Sequence, residues 1–278
     1  MNRKWKIFFY LWFSIVPIFC ILLDTFLSTT NPVNTPQGQG YFTSYFDLSV
    51  VSQLIYISVW TAILVAVFGI LNFIALFVKK MPNWVSNKVN RTFVTSMTTM
   101  VFCIYLVAFI ADPKGIVGMD VWYKILKSSL EHFATPILML VFYLTYVDET
   151  PISCKSYAEK WGWYSIIFTS VYIIFIVIRA AMLYKYGPTS GYLNQKPEGL
   201  TAEEAANWTW KDNVIAIFPY EQVDPWTKSP ALWIPACIGI VLAPYIFGNL
   251  LNWISNCNIR WAVDYKAKKI DKTAEKTK

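Results

Sequence analysis

The chain has 278 residues, of which 56% are hydrophobic, 18% aromatic and only 15% charged. Because a soluble domain carries about 25% charged residues, this composition excludes an ordinary soluble enzyme. The formal net charge of +7 lies beside apolar segments, which is typical of topology signals and of attraction to anionic lipid head groups. We therefore expect membrane lipids as partners and no nucleic acid.

Six apolar stretches are long enough to cross about 30 Å of hydrocarbon, which takes roughly 20 helical residues. Only a helix satisfies its backbone hydrogen bonds within a single apolar stretch. The sequence therefore predicts an all-α, polytopic membrane domain over 1–255, followed by a basic tail, 256–278, without an apolar face and predicted to be disordered. The predicted transmembrane helices are 7–27, 52–78, 92–111, 128–147, 162–184 and 231–254.

Lysine and arginine are unevenly divided between the two sides of such a six-span chain. The segments that share a side with the termini hold sixteen, whereas the opposite connections hold seven. The positive-inside rule then predicts that both termini are cytoplasmic. Abundant lysine and asparagine with a single histidine resemble the product of an AT-rich bacterial genome, so we expect a multi-pass protein of a bacterial cell membrane.

The outer connection 185–230 is the long polar segment between two predicted spans. Thr201 and Glu204 have the spacing of a capping box, which predicts a short helix over 202–210 on the membrane surface, beside interfacial tryptophans. Two interpretations of the connection stay open: a solvated loop with one helical turn, or a cover over an outward-facing site.

Ionisable side chains within membrane spans are costly, so each one marks a structural pair or a functional site. Several polar side chains are predicted to lie near the outer ends of spans, whereas the inner half offers mainly Asn72, Asn249 and Asn252. The outer set is Asp24, Thr43, Asp47, Glu131, His132 and Arg179.

Each of these residues also has a structural interpretation. Arg179 can extend toward the head groups or pair with Asp24, and Asp47 can stabilise the start of the second helix. His132 can be an interface residue, but it is also the only side chain suited to proton transfer near neutral pH without a large shift. One histidine and the absence of closely spaced cysteine pairs predict no metal site and no cofactor.

Two short segments resemble the signatures of a known family. Tyr41-Phe42-Thr43-Ser44 is similar to the threonine-bearing motif of the androgen-induced, ADTRP-like membrane hydrolases, and His132-Phe133-Ala134-Thr135-Pro136 to their histidine-bearing motif. The resemblance covers the chain through about residue 150. It implies a six-helix threonine hydrolase that cleaves esters of hydroxy fatty acids.

The resemblance implies that Thr43 is the nucleophile and that His132 is its base. Arg179 would bind a carboxylate or phosphate of the substrate, with Asp24, Asp47 and Glu131 nearby, and the acyl chain would enter from the bilayer. The outer connection 185–230 departs from the family pattern.

The second predicted helix sets a condition on this catalytic pair. A continuous helix from Thr43 to Val78 would rise about 53 Å, so Thr43 meets His132 only if that helix tilts, extends into the cytoplasm or breaks before Asp47. Two other functions stay open. One is a non-enzymatic scaffold or assembly protein, for which the sequence identifies no particular protein partner. The other is a small-solute transporter, which needs polar groups at the midplane and on both sides.

Overall fold

The architecture is a bundle of long apolar helices. Within the part of the chain that the structure describes, six helices are long and apolar enough to cross a membrane: Arg3–Thr30, Ile57–Ala75, Asn83–Ala111, Trp122–Thr145, Cys154–Thr189 and Pro230–Trp261. They confirm the predicted all-α fold with six candidate spans. This computed structural model describes residues 1–30, 34–35, 38–39, 46–78, 80–113, 116, 118–146, 150–191, 193–196, 201–214 and 216–276.

The α-helices follow in chain order. They are α1 (Arg3–Thr30), α2 (Phe46–Gln53), α3 (Ile57–Ala75), α4 (Lys88–Ala111), α5 (Trp122–Ser129), α6 (Thr135–Thr145), α7 (Cys154–Ser156), α8 (Trp163–Tyr186), α9 (Ala202–Asn207) and α10 (Pro230–Lys276). Two π-helical turns, Leu130–Ala134 and Tyr157–Trp161, precede α6 and α8. Two-residue strands, Asn34–Thr35 and Gly38–Gln39, pair antiparallel.

The helices begin and finish at two opposite ends of the bundle. We call the end where α1 begins the terminal end, and the end where α1 finishes the loop end. At the terminal end, Lys6 Nζ donates to Tyr146 Oη at 2.9 Å and Lys88 Nζ donates to Asn256 Oδ1 at 2.6 Å. At the loop end, α1 finishes beside α2 and α5. The orientation of these two ends relative to the cell stays a prediction, in which the terminal end faces the cytoplasm.

Helices α1 and α3 approach each other closely because Gly69 has no side chain. A Cβ atom at Gly69 would lie 2.6 Å from the backbone of Phe13. Around this contact Phe13 packs against Phe68 and Phe142, with ring centroids 6.4 and 5.6 Å apart. Small residues that allow backbones to approach are the usual means of helix packing in membranes.

The bundle is apolar outside and partly polar inside. Large apolar side chains on several long helices are exposed, among them Ile15, Val67, Ile110, Ile167 and Ile246. In contrast, α4 buries a polar stripe at helical spacing: Lys88, Arg91, Thr92, Thr95 and Thr98. This distribution suits a surface solvated by lipid and an interior where polar groups find partners.

The second predicted span is not one continuous helix. The chain turns between Gln53 and Ile57, and the indole nitrogen of Trp60 donates to the carbonyl of Leu54 at 2.8 Å. The hydroxyl of Tyr172 donates to the carbonyl of Ile55 at 2.7 Å. Because these side chains satisfy carbonyl groups at the break, the interruption is stable inside the protein.

Two further boundaries differ from the predicted ones. The fourth span begins at Trp122 rather than at 128, since the lysines that suggested an outer loop are paired within the bundle. Helix α10 continues through Lys276, where a disordered tail was predicted. The tail is rich in alanine and lysine, which favour helix, and it extends a helix that is already nucleated.

The long connection begins its short helix at Ala202, as predicted, but α9 ends at Asn207 rather than near 210. A capping box follows at Thr209, in which Asp212 accepts from the backbone N–H and the hydroxyl of Thr209 at 2.7 and 3.0 Å. The connection is therefore built from short capped turns, not from a single surface helix.

Candidate functional site

Asp24 is the centre of a buried group of charges at the loop end. Its side chain is 2% exposed, and Lys127 Nζ donates to one carboxylate oxygen at 2.6 Å. Lys124 Nζ donates to the other oxygen. One carboxylate of α1 thus binds two ammonium groups of α5, which joins helices from distant parts of the chain.

Helix periodicity brings a second carboxylate to the same group. Lys124, Lys127 and Glu131 are spaced i, i+3 and i+7, so they share one face of the helix. Lys127 Nζ lies 3.8 Å from Glu131 Oε2. Through these contacts the charges alternate in the order Lys124, Asp24, Lys127, Glu131. We call these four residues the charge quartet; when all are ionised, its net charge is zero.

Glu131 and His132 lie in the π-helical turn Leu130–Ala134. Pro136 has no backbone N–H to give to the preceding turn, and the N–H of Thr135 bonds to the carbonyl of Leu130, five residues back. A π-turn inserts one extra residue into a helix and is frequent at functional sites. Counted from Trp122, Glu131 is about 13 Å along the helix, deeper than the helix start where the sequence placed it.

His132 is held against Tyr105 of α4. The two rings are parallel within 3°, with centroids 4.1 Å apart, and the Tyr105 hydroxyl donates to the Met119 sulfur at 3.6 Å. Among the described residues, the buried Nδ1 of His132 has no hydrogen-bond partner. The ring is therefore oriented by stacking, and this nitrogen is not occupied by a structural hydrogen bond.

A small cavity lies beneath the charge quartet, between α1, α3, α4 and the start of α6. Its polar lining comes from Ser58, Thr61, Thr98, Glu131 and Thr135. The space open to the centre of a water molecule is about 10 Å³, enough for roughly one water. Within the described part of the chain, both Glu131 carboxylate oxygens and the Thr61 hydroxyl are buried without a hydrogen-bond partner.

Arg179 holds the long connection onto the bundle. Its Nη1 donates to the carbonyls of Ala216 and Ile217 at 3.2 and 2.7 Å. Nearby, the Trp226 ring packs on Tyr184 and Phe218, with centroids 5.3 and 5.8 Å away. The segment 216–226 therefore covers part of the loop end.

Two buried tyrosines that interact electrostatically with the charge quartet remain protonated at neutral pH. Burial raises the pKa of the Tyr56 hydroxyl, and the charges of Lys127 and Asp24 act on it with opposite signs. Burial also raises the pKa of Tyr220 well above its ordinary value. Both hydroxyls are thus neutral polar groups that interact electrostatically with members of the charge quartet.

The structure brings together only part of the predicted set. Asp24, Glu131 and His132 lie in or beside one site. Thr43 lies outside the described residues, and Asp47 is in the first turn of α2. The partners of Asp24 are Lys124 and Lys127. Of the two structural interpretations of Arg179, the one in which it pairs with Asp24 is therefore wrong.

Sequence reasoning missed the two lysines of the quartet. It counted Lys124 and Lys127 as outer-loop charges because the fourth span was predicted to begin at 128 and because Asp24, which binds both, is distant in sequence. Their spacing to Glu131 was the available signal, since it continues one helix face upstream. Tyr105 and Thr61 gave no comparable signal, because their roles depend on contacts between helices.

Comparisons with family models, with curated proteins and with solved structures find no match for this chain. The fold and the site define a class: a multi-pass helical membrane protein with a buried, charge-balanced site in one half of the bundle.

Proposed function

We propose that this protein is a lipid-ester hydrolase of the membrane, in which His132 is the general base. One observation carries the proposal: the imidazole is fixed by stacking on Tyr105, and its buried Nδ1 has no hydrogen-bond partner in the described structure. An oriented imidazole with an unoccupied nitrogen can accept a proton from a hydroxyl that is placed beside it. The proposal also adopts the predicted orientation, with the loop end outside.

In the proposed reaction the hydroxyl of Thr43 attacks the ester carbonyl carbon while His132 accepts its proton. The ester C–O bond breaks, and the proton passes to the departing alcohol. Water then hydrolyses the acyl-threonine, releasing the fatty acid and restoring the hydroxyl. A hydroxyl is a weak nucleophile without such a base, which is why the histidine is required.

The break between α2 and α3 lies after Asp47, not before it, but it also interrupts the long helix that would hold Thr43 away from His132. Gln53 Nε2 donates to Thr25 Oγ1 at 2.6 Å, so the end of α2 lies against the loop end of α1. The chain that enters α2 therefore does not belong to a continuous helix of about 53 Å rise. Arg179 fixes the long connection over the loop end. In the proposed reaction it also binds a carboxylate or phosphate of the substrate.

The test is hydrolysis of a fluorogenic hydroxy fatty acid ester by the purified full chain in lipid nanodiscs. We expect His132→Ala to lower the rate by about 10²–10⁴-fold, the usual contribution of a positioned acid–base group. Tyr105→Phe keeps the stacking ring and retains most of the activity, whereas Tyr105→Leu does not. Glu159→Gln, in an exposed ion pair, is the control. Hydrolysis by His132→Ala at the wild-type rate contradicts the proposal.

A further inference from the structure

The cavity below the charge quartet has the lining of an ion site. Glu131 is 7% exposed, and both of its carboxylate oxygens are buried without a hydrogen-bond partner in the described structure. Thr61, from α3, contributes a buried hydroxyl that is also unpartnered. A buried carboxylate is stable only when something compensates its charge and occupies its lone pairs.

The other polar groups around the cavity are also oxygens. The Thr98 hydroxyl donates to the carbonyl of Thr95 at 2.9 Å, which leaves its own oxygen able to act as a ligand. Thr135 Oγ1 accepts from the Trp12 indole at 3.2 Å. Pro17 and Pro136 also line the cavity, and each removes a backbone N–H that would otherwise bond to a carbonyl one turn earlier.

The polar groups of the lining, which is otherwise apolar, are all oxygens, and such a set favours a hard cation. Carboxylate, hydroxyl and carbonyl oxygens suit alkali and alkaline-earth ions rather than zinc or copper. No group of three His, Cys, Asp or Glu side chains converges in the described ranges, so a multiply charged metal ion would lack compensation. A bare sodium ion is no larger than the single water that the space admits.

The order of charges also fits one monovalent ion. Contacts run from Lys124 to Asp24, then to Lys127 and to Glu131 at 3.8 Å. A cation on the cavity side of Glu131 extends this alternation of signs.

We propose that the cavity around Glu131, lined by the hydroxyls of Ser58, Thr61 and Thr98, is a binding site for a monovalent cation of the size of sodium. This site is distinct from the acid–base chemistry of His132 and does not depend on hydrolase activity.

The test is the thermal stability of the purified full chain in NaCl, KCl and choline chloride at equal ionic strength. An ion that binds only the folded state raises the melting temperature in a saturable way. We expect that rise with sodium, and we expect Thr61→Val to raise the half-saturating concentration by roughly tenfold or more. Glu131→Gln abolishes the effect. Thr99→Val is the matched control, because the Thr99 hydroxyl bonds within its own helix, to the Thr95 carbonyl at 2.8 Å.

Two results would overturn the proposal. Equal melting temperatures in the three salts mean that the cavity holds water alone. A sodium effect that is unchanged in Thr61→Val places the ion elsewhere in the protein. If Glu131→Gln does not fold, Thr61→Val still decides, since valine matches threonine in shape and leaves the charge quartet intact.

Discussion

Asp24 and Lys127 are 103 residues apart in sequence, yet their side chains form a buried hydrogen-bonded ion pair of 2.6 Å. This contact fixes α5 against α1 and places a charged helix face inside an apolar bundle. The position of Glu131 and His132, further along the same helical path, depends on it.

Loss of the Asp24 carboxylate should be severe. Asp24→Asn leaves Lys124 and Lys127 buried without their carboxylate, and breaking a buried ion pair from one side costs about 3–5 kcal/mol. We expect a large drop in melting temperature in detergent. Glu159→Gln removes a carboxylate from an exposed pair of 3.8 Å and should change stability little. Similar melting temperatures for the two variants would show that the charge quartet does not stabilise the fold.

The contact at Gly69 can be tested with a matched glycine. Gly69→Ala places a Cβ 2.6 Å from the Phe13 backbone, so α1 and α3 must separate, at a cost of about 1–3 kcal/mol. Gly239→Ala meets nothing within 4 Å and should leave stability unchanged or slightly improved, because alanine favours helix. Thermal melts of both variants measure the difference, and equal losses would contradict the close approach.

Arg179 should control access to the long connection. In Arg179→Met the carbonyls of Ala216 and Ile217 lose their donor, so the segment should detach more often. We expect faster tryptic cleavage at Lys211 and Lys228, followed by mass spectrometry. Lys185→Met removes an exposed lysine at the end of α8 and should leave the cleavage rate unchanged. A wild-type rate in Arg179→Met would mean that other contacts hold the connection.

The predicted orientation has a direct chemical test. Cys154 and Cys257 are exposed and free, and both lie toward the terminal end. A membrane-impermeant maleimide applied to intact cells should label neither, whereas Lys196→Cys, in the long connection, should be labelled. Labelling of the wild-type protein in intact cells would reverse the assignment of inside and outside.

Local patterns predicted the bundle well, because hydrophobic length alone identifies a helix that must satisfy its own backbone in lipid. They failed where the burial or pairing of a residue is determined by a residue that is far away in sequence. Lys124 and Lys127 were taken for loop charges because Asp24 is far away in sequence. The break before Ile57 was missed for the same reason, since Tyr172 supplies a hydrogen bond from another helix.

The candidate site was predictable only in part. Intramembrane ionisable residues are rare enough to be noticed singly, which identified Asp24, Glu131 and His132. The stacking partner Tyr105 and the cavity hydroxyl of Thr61 are ordinary residues in sequence. Only the packing of helices reveals that they surround the same polar space.

The most direct test of the proposed hydrolase is active-site labelling with a fluorophosphonate probe. We predict that the probe modifies Thr43 of the wild-type protein, as located by mass spectrometry, and that labelling disappears in Thr43→Ala and His132→Ala. Equal labelling of all three proteins would contradict the proposed mechanism.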